Sequence, residues 1–124
     1  RYGERLDFVF NKSVDNKFIK IAPLVLLSIV ENAFKHGASG DHGRPKIHID
    51  LKVQNDQLLF EVFNTRPKIA QADKTNFKKG IGMNNVKRQL VLIYPKQHQF
   101  KVEETVETYK VLLTIDLQPA MAIN

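Results

Sequence analysis

The chain has 124 residues, 43% of them apolar, and a formal net charge of +6, which sets aside a disordered tail and leaves one domain long enough to bury a core. It has no cysteine, so disulfides and thiolate metal sites are excluded, and its longest apolar run, IAPLVLLSIV at 21–30, is about half of a membrane span. The basic excess calls for an anionic partner without saying which.

The chain opens on RYGERLDF, with no initiator methionine, and reads as a domain excised from a longer protein. Residues 5–11, RLDFVFN, alternate loosely and predict a first strand; KSVDNKF, at 12–18, predicts a polar turn. Pro23 suits the first position of a helix, where its missing N–H costs little. That helix is expected over 23–36, stopped by Gly37, and its first two turns are apolar nearly all round, as for a helix lying on a sheet. ASGDHGR, 38–44, is a loop by composition. KIHIDLKV, 46–53, alternates well, with Ile47, Ile49, Leu51 and Val53 on one face. QND then turns the chain into QLLFEVFN, 57–64, a hairpin with a short loop.

The stretch 66–79, RPKIAQADKTNFKK, sets Arg66, Lys68, Lys74, Lys78 and Lys79 against Asp73, five positive charges less one, so it supplies +4 of the +6. A loop this long inside a compact domain points to function. NNVKRQLVLIY, 84–94, predicts a second helix with Val86, Leu90 and Val91 as its apolar stripe and Pro95 as its stop. QFKVEET and YKVLLTIDL, at 99–105 and 109–117, predict a closing strand pair. The order of elements predicts an α+β fold, a two-layer α/β sandwich with a mixed sheet and helices on one face.

Two stretches carry chemistry. VENAFKHG, 30–37, sets an acid, an amide, a lysine and a histidine at the end of an apolar helix. Asn32, Lys35 and His36, spaced i, i+3 and i+4, share one side; this is either a solvated helix end or the wall of a polar site. KKGIGMNN, 78–85, brackets Ile81 between Gly80 and Gly82 directly before a helix, where backbone approaches a ligand closely and the helix start attracts anions. The third glycine and the preceding strand of the dinucleotide fingerprint are missing, and a GxG alone reads equally as a tight turn.

Together the two stretches resemble the ATP-binding domain of sensor histidine kinases, whose fold is shared with type II topoisomerases, Hsp90 and mismatch-repair proteins. PLVLLSIVENAFKHG looks like the N box, and GIGMNNVKRQLVLIY like the G2 box with its helix, of the membrane-anchored LytS/YehU-like type; RYGERLDFVF looks like the segment entering the domain. The resemblance implies ATP and Mg²⁺ as cofactors and γ-phosphoryl transfer to a histidine. It makes Asn32 the Mg²⁺ ligand and, with Glu31, catalytic, Glu31 being the acid that orients the acceptor histidine or takes its proton. Lys35 and His36 would face phosphate oxygens, with Gly80, Ile81, Gly82, Asn85 and Arg88 nearby. One of Asn84 and Asn85 is expected to cap the helix.

The adenine-binding DxGxG motif departs from the family pattern. The matching stretch is FEVFNTRPKI, with Asn64 in the place of the aspartate and Arg66 and Lys68 in the places of glycines. An amide oxygen still accepts a hydrogen bond from the base, uncharged and more weakly. Residues 66–79 read as the ATP lid. His36, His42, His48 and His98 all lack the setting of a phosphoacceptor, so the resemblance implies an upstream helical acceptor domain, a homodimeric full-length protein, a response regulator receiver domain as partner, and a cytoplasmic location at the membrane. The fragment alone is expected to be monomeric and not to phosphorylate itself. The altered motif also allows a degenerate module that signals by contact with little or no nucleotide. A basic nucleic-acid-binding domain ranks lower, because the basic residues crowd one loop without a recognition helix or aromatic platform.

Overall fold

Strict apolar alternation in the middle of the chain builds the sheet, and the computed structural model describes residues 6–15, 20–38, 45–66 and 81–117. In chain order these form β1 (Asp7–Val14), α1 (Pro23–Ala33) running on into a π-turn (Phe34–Ala38), β2 (Lys46–Gln54), β3 (Gln57–Thr65), α2 (Ile81–Ile93), β4 (His98–Glu104) and β5 (Thr108–Asp116). The sheet order is β1-β2-β3-β5-β4. β1 and β2 are parallel and the other neighbours antiparallel, so the sheet is mixed.

One face of this sheet is the core. Ile47, Ile49 and Val53 of β2, Leu58, Phe60 and Val62 of β3, and Val111, Leu113 and Ile115 of β5 are buried there. They meet Val25, Ile29 and Ala33 of α1 and Met83, Val86 and Leu90 of α2, residues three or four apart that form one stripe on each helix. The sandwich is the expected two-layer α+β arrangement with helices on one face. On the opposite face Lys110 lies 3.7 Å from both Glu61 and Glu103.

The β2–β3 turn is built by Asn55 and Asp56, both at positive φ (55° and 63°), the pair of left-handed residues that a two-residue hairpin demands. Tyr94 follows α2 and its hydroxyl accepts a hydrogen bond from the Ala22 N–H at 2.9 Å. That bond ties the end of α2 to the start of α1, where no side chain caps the helix.

Two boundaries and one position of the α2 stripe depart most from the expectation. β1 runs on through Lys12–Val14, because an edge strand exposed on both faces can be polar and still pair: Lys12, Ser13 and Val14 register with Leu51, Lys52 and Val53. α2 begins at Ile81 rather than Asn84. Val91 is 60% exposed, and Met83, at 1%, takes its place in the buried stripe.

Candidate functional site

The polar residues of VENAFKHG gather where α1 leaves its α-helical path. The Phe34 N–H is shared between the Val30 and Glu31 carbonyls, and the five residues after Ala33 wind as a π-turn that packs over β2 and β3. π-turns are uncommon and concentrate at functional sites. Asn32 is half-buried, while Glu31, Lys35 and His36 are exposed. Gly37 is buried and does not take the left-handed backbone of a helix stop, so the reason for a glycine here is space. A Cβ on Gly37 would lie 2.7 Å from Asn64 Cβ and 3.1 Å from Asn64 Nδ2.

Asn64 is the polar residue fully buried among the described residues, at 1% exposure. The alternation that buries Leu58, Phe60 and Val62 brings it to the same face of β3, between Ile47 of β2 and Tyr109 of β5 in register. Its Nδ2 donates to the Thr65 carbonyl at 3.0 Å, which fixes the orientation of the amide. Its Oδ1 is buried without a partner. A buried acceptor with no donor costs about 1–3 kcal/mol, and an amino group such as that of adenine is the kind of donor that fits it.

The end of β3 is firmly held. Thr65 Oγ1 accepts from the Lys46 N–H at 2.9 Å. Arg66 bonds Glu104 of β4 at 2.7 Å, with side chains only 11% and 15% exposed, and donates to the Thr105 carbonyl at 2.8 Å. Its N–H also donates to the Glu107 carbonyl at 2.8 Å. The arginine standing where the family pattern has a glycine is therefore bound into the β4–β5 end of the sheet.

Charge and burial tune two groups nearby. The His36 pKa lies below its ordinary value, first because the part of the ring set into the domain is desolvated, then because Lys35 and Arg66 are positive. The Tyr109 hydroxyl is pushed up by burial and by Glu104, against a smaller opposing pull from Arg66, so it stays a neutral phenol at physiological pH. Asn32 offers one hard amide oxygen, and no group of three His, Asp or Glu side chains that could hold a metal occurs among the described residues. One amide oxygen could serve Mg²⁺ only within a shell completed by waters and substrate phosphates.

Ile81 opens α2 and Gly82 lies in its first turn, so these two residues of the glycine motif belong to the helix start. Asn84, Asn85 and Arg88 are exposed on α2. Gly80 and 67–79, hence the proposed lid beyond Arg66, lie outside the described residues, as does His42. His48 stands on the sheet face away from the helices, its Nε2 buried without a partner and its ring edge-on to Phe63 at 6.1 Å. A polar groove of about 650 Å³, lined in part by Lys52, Lys96, His98 and Asp116, opens at the far end of β3 and β5. There Gln57 pairs with Asp116, a whole strand length from the Asn64–Tyr109 pair.

Sequence reasoning missed Gly37 as a packing residue and Tyr109 as a neighbour of Asn64. The signal for Tyr109 was its phase: it shares a face with Val111 and Leu113, but the partner opposite requires the register.

No family model matches the chain. It is 31% identical over 96 residues to the uncharacterized protein YwpD of Bacillus subtilis (strain 168); the match covers 73% of this chain but 34% of YwpD, so the chain spans about a third of that relative. Among solved structures, the nucleotide-free catalytic domain of histidine kinase ThkA superposes with a TM-score of 0.60 at 19% identity, covering 94% of this chain and 84% of that one. ThkA in complex with the response regulator protein TrrA superposes at 0.57 and 20% identity, over 91% and 34%. Full-length ShkA in complex with AMPPNP superposes at 0.60 and 14% identity, over 98% and 27%. The chain has the fold of a histidine-kinase-like ATPase catalytic domain.

Proposed function

We propose that the chain is the ATP-binding catalytic domain of a sensor histidine kinase of the LytS/YehU-like type, and that in the full-length protein it directs the γ-phosphoryl group of ATP to a histidine on an upstream helical domain. Asn64 carries the reading: a fully buried carboxamide oxygen without a donor, at the strand end where the family pattern places base recognition. The AMPPNP bound by the similarly folded ShkA supports a nucleotide as the ligand to test.

Each residue then has a role. Asn64 Oδ1 would accept from the adenine amino group. Asn32 would hold Mg²⁺ through its amide oxygen; the ion, when bound, neutralises charge on the phosphate oxygens. Lys35 and His36 would contact those oxygens, with Gly80, the α2 start at Ile81 and Gly82, Asn85 and Arg88 completing the phosphate side. Glu31, exposed beside Asn32, would orient the incoming imidazole and receive its proton as the nitrogen–phosphorus bond forms and the bond to ADP breaks. Phosphoryl transfer asks chiefly for placement and charge neutralisation, which these groups supply. The ThkA–TrrA complex supports a receiver domain as the partner that takes the phosphoryl group onward. The full-length protein would be a membrane-anchored homodimer with this domain in the cytoplasm.

Calorimetric titration tests the reading. ATP is expected to bind the folded domain with Mg²⁺, and more weakly after chelation or in Asn32→Ala. Equal affinity in the wild type and folded N32A would remove Asn32 from the metal role. Absence of binding would favour the second reading, a kinase-like module acting by contact, which the Arg66–Glu104 clasp in place of a flexible glycine turn supports.

A further inference from the structure

We propose that Gly37 is the positioning residue of the base site: having no side chain, it lets the π-turn lie directly on Asn64 and hold the carboxamide with its oxygen toward the base. This rests on the nucleotide site proposed above and adds a residue that makes no contact with the nucleotide itself. A Cβ built on Gly37 would come within 2.7 Å of Asn64 Cβ, 3.1 Å of Nδ2 and 3.2 Å of Cγ, so three atoms of one side chain fill the space that any other residue at 37 would need. Side-chain carbons do not approach so closely, and Asn64, buried between two strands, has little room to withdraw.

Two features make this contact consequential. A carboxamide exchanges its oxygen and nitrogen by a half-turn, and only one orientation satisfies the Thr65 carbonyl, to which Nδ2 donates at 3.0 Å. The other sets oxygen against oxygen. Held against Gly37, the amide therefore presents an acceptor alone. An acceptor pairs with the amino group of a 6-aminopurine and opposes the carbonyl of a 6-oxopurine. The second feature is the turn itself. Lys35 and His36 sit in the same π-turn as Gly37, so a single backbone contact registers the phosphate-facing residues against the base-reading one.

The test compares ATP with ITP, which differ in the 6-amino and 6-oxo groups, on the wild type and Gly37→Ala. The wild type is expected to prefer ATP by about tenfold, the scale of one buried hydrogen bond made against one opposed. Folded G37A is expected to lose most of that preference, its ATP affinity falling toward its ITP affinity. A glycine needed only for packing would weaken both nucleotides equally; a preserved ratio in folded G37A, or no preference in the wild type, overturns the proposal while leaving nucleotide binding intact. Failure of the wild type to bind either nucleotide overturns the site as well. Should G37A not fold, Gly37→Ala/Asn64→Gly decides: removing the Cβ that meets the new methyl is expected to restore folding to the level of Asn64→Gly alone, and a double variant that stays unfolded overturns the proposal.

Discussion

Asn64 is strained between stability and binding. Its Nδ2–Thr65 bond stabilises the empty domain, while its unpartnered Oδ1 costs about 1–3 kcal/mol of the same stability. Asn64→Ala removes both, so its effect on unfolding is expected to stay within about 1 kcal/mol, well below a large-to-small change at a neighbouring core position such as Leu113. ATP and ADP affinity are both expected to fall, by about 1 kcal/mol or somewhat more, since both carry the base. Chemical denaturation and calorimetry on one preparation separate the two effects. An unchanged preference for ATP over GTP would remove Asn64 from base recognition. His36 makes stability depend on pH. Its folded pKa lies below the ordinary 6.5, so above that value it is neutral in both states and neither adds nor removes stability. As pH falls through the ordinary value, the unfolded chain takes up the proton first, and stability is lost down to the folded pKa. His36→Gln is expected to flatten this part of the acid-unfolding profile. Phosphate oxygens act on the ring in the opposite sense to Lys35 and Arg66, so ATP binding at the proposed site is expected to draw in a proton as the lowered pKa is raised again. Titration in two buffers of different ionisation enthalpy counts that proton, and H36Q should abolish it.

Between elements, the clasp from Arg66 to Glu104 spans from β3 to β4 across β5. At 11% and 15% exposure it is screened far less than a surface pair. Arg66→Ala would take the arginine's charge-assisted hydrogen bond away from the largely buried Glu104 carboxylate and is expected to cost about 1–3 kcal/mol in denaturant unfolding. Because Arg66 partly offsets the upward shift of Tyr109, the same variant should raise the phenol pKa further, which an ultraviolet pH titration follows. Elements with a buried face were legible in the sequence. Ile47, Ile49 and Val53 announced β2, and QND announced a turn whose Asn55 and Asp56 are left-handed as that hairpin requires. Elements whose signal depends on a partner were not. The polar end of β1 pairs with β2 yet looks like a turn, because neither of its faces is buried. Gly37 looks like a helix stop because the sequence holds no trace of Asn64 beneath it. Of the site, Asn64 was legible as a changed motif position, but its missing hydrogen-bond partner belongs to the three-dimensional packing.

For the whole molecule, the elements divide the sandwich by end. The π-turn, the start of β2, the end of β3 and the start of β5 converge around Asn64, and the polar groove lies at the other end. No helix among the described residues is long and apolar enough to cross a membrane. In the proposed kinase the acceptor histidine lies outside this chain. The isolated domain is therefore expected to sediment as a monomer and to stay unlabelled by γ-labelled ATP. The full-length protein should become labelled on a histidine outside 1–124, with tethering supplying the effective concentration. Loss of that label in full-length N32A, with folding intact, would support the kinase reading; nucleotide binding with no label in the full-length wild type would point instead to a regulatory ATP site.

The neutral carboxamide of Asn64 also bears on inhibitor design. A carboxylate at a base-recognition position rewards positively charged heterocycles, such as amidines and protonated aminopyridines, through charge-assisted hydrogen bonds. Asn64 offers one acceptor and no charge, in a setting too buried for a bare cation to lose its water cheaply. Compounds selected against carboxylate-bearing kinases of this fold should lose potency here in proportion to their positive charge, while neutral aminopurine-like scaffolds should keep it.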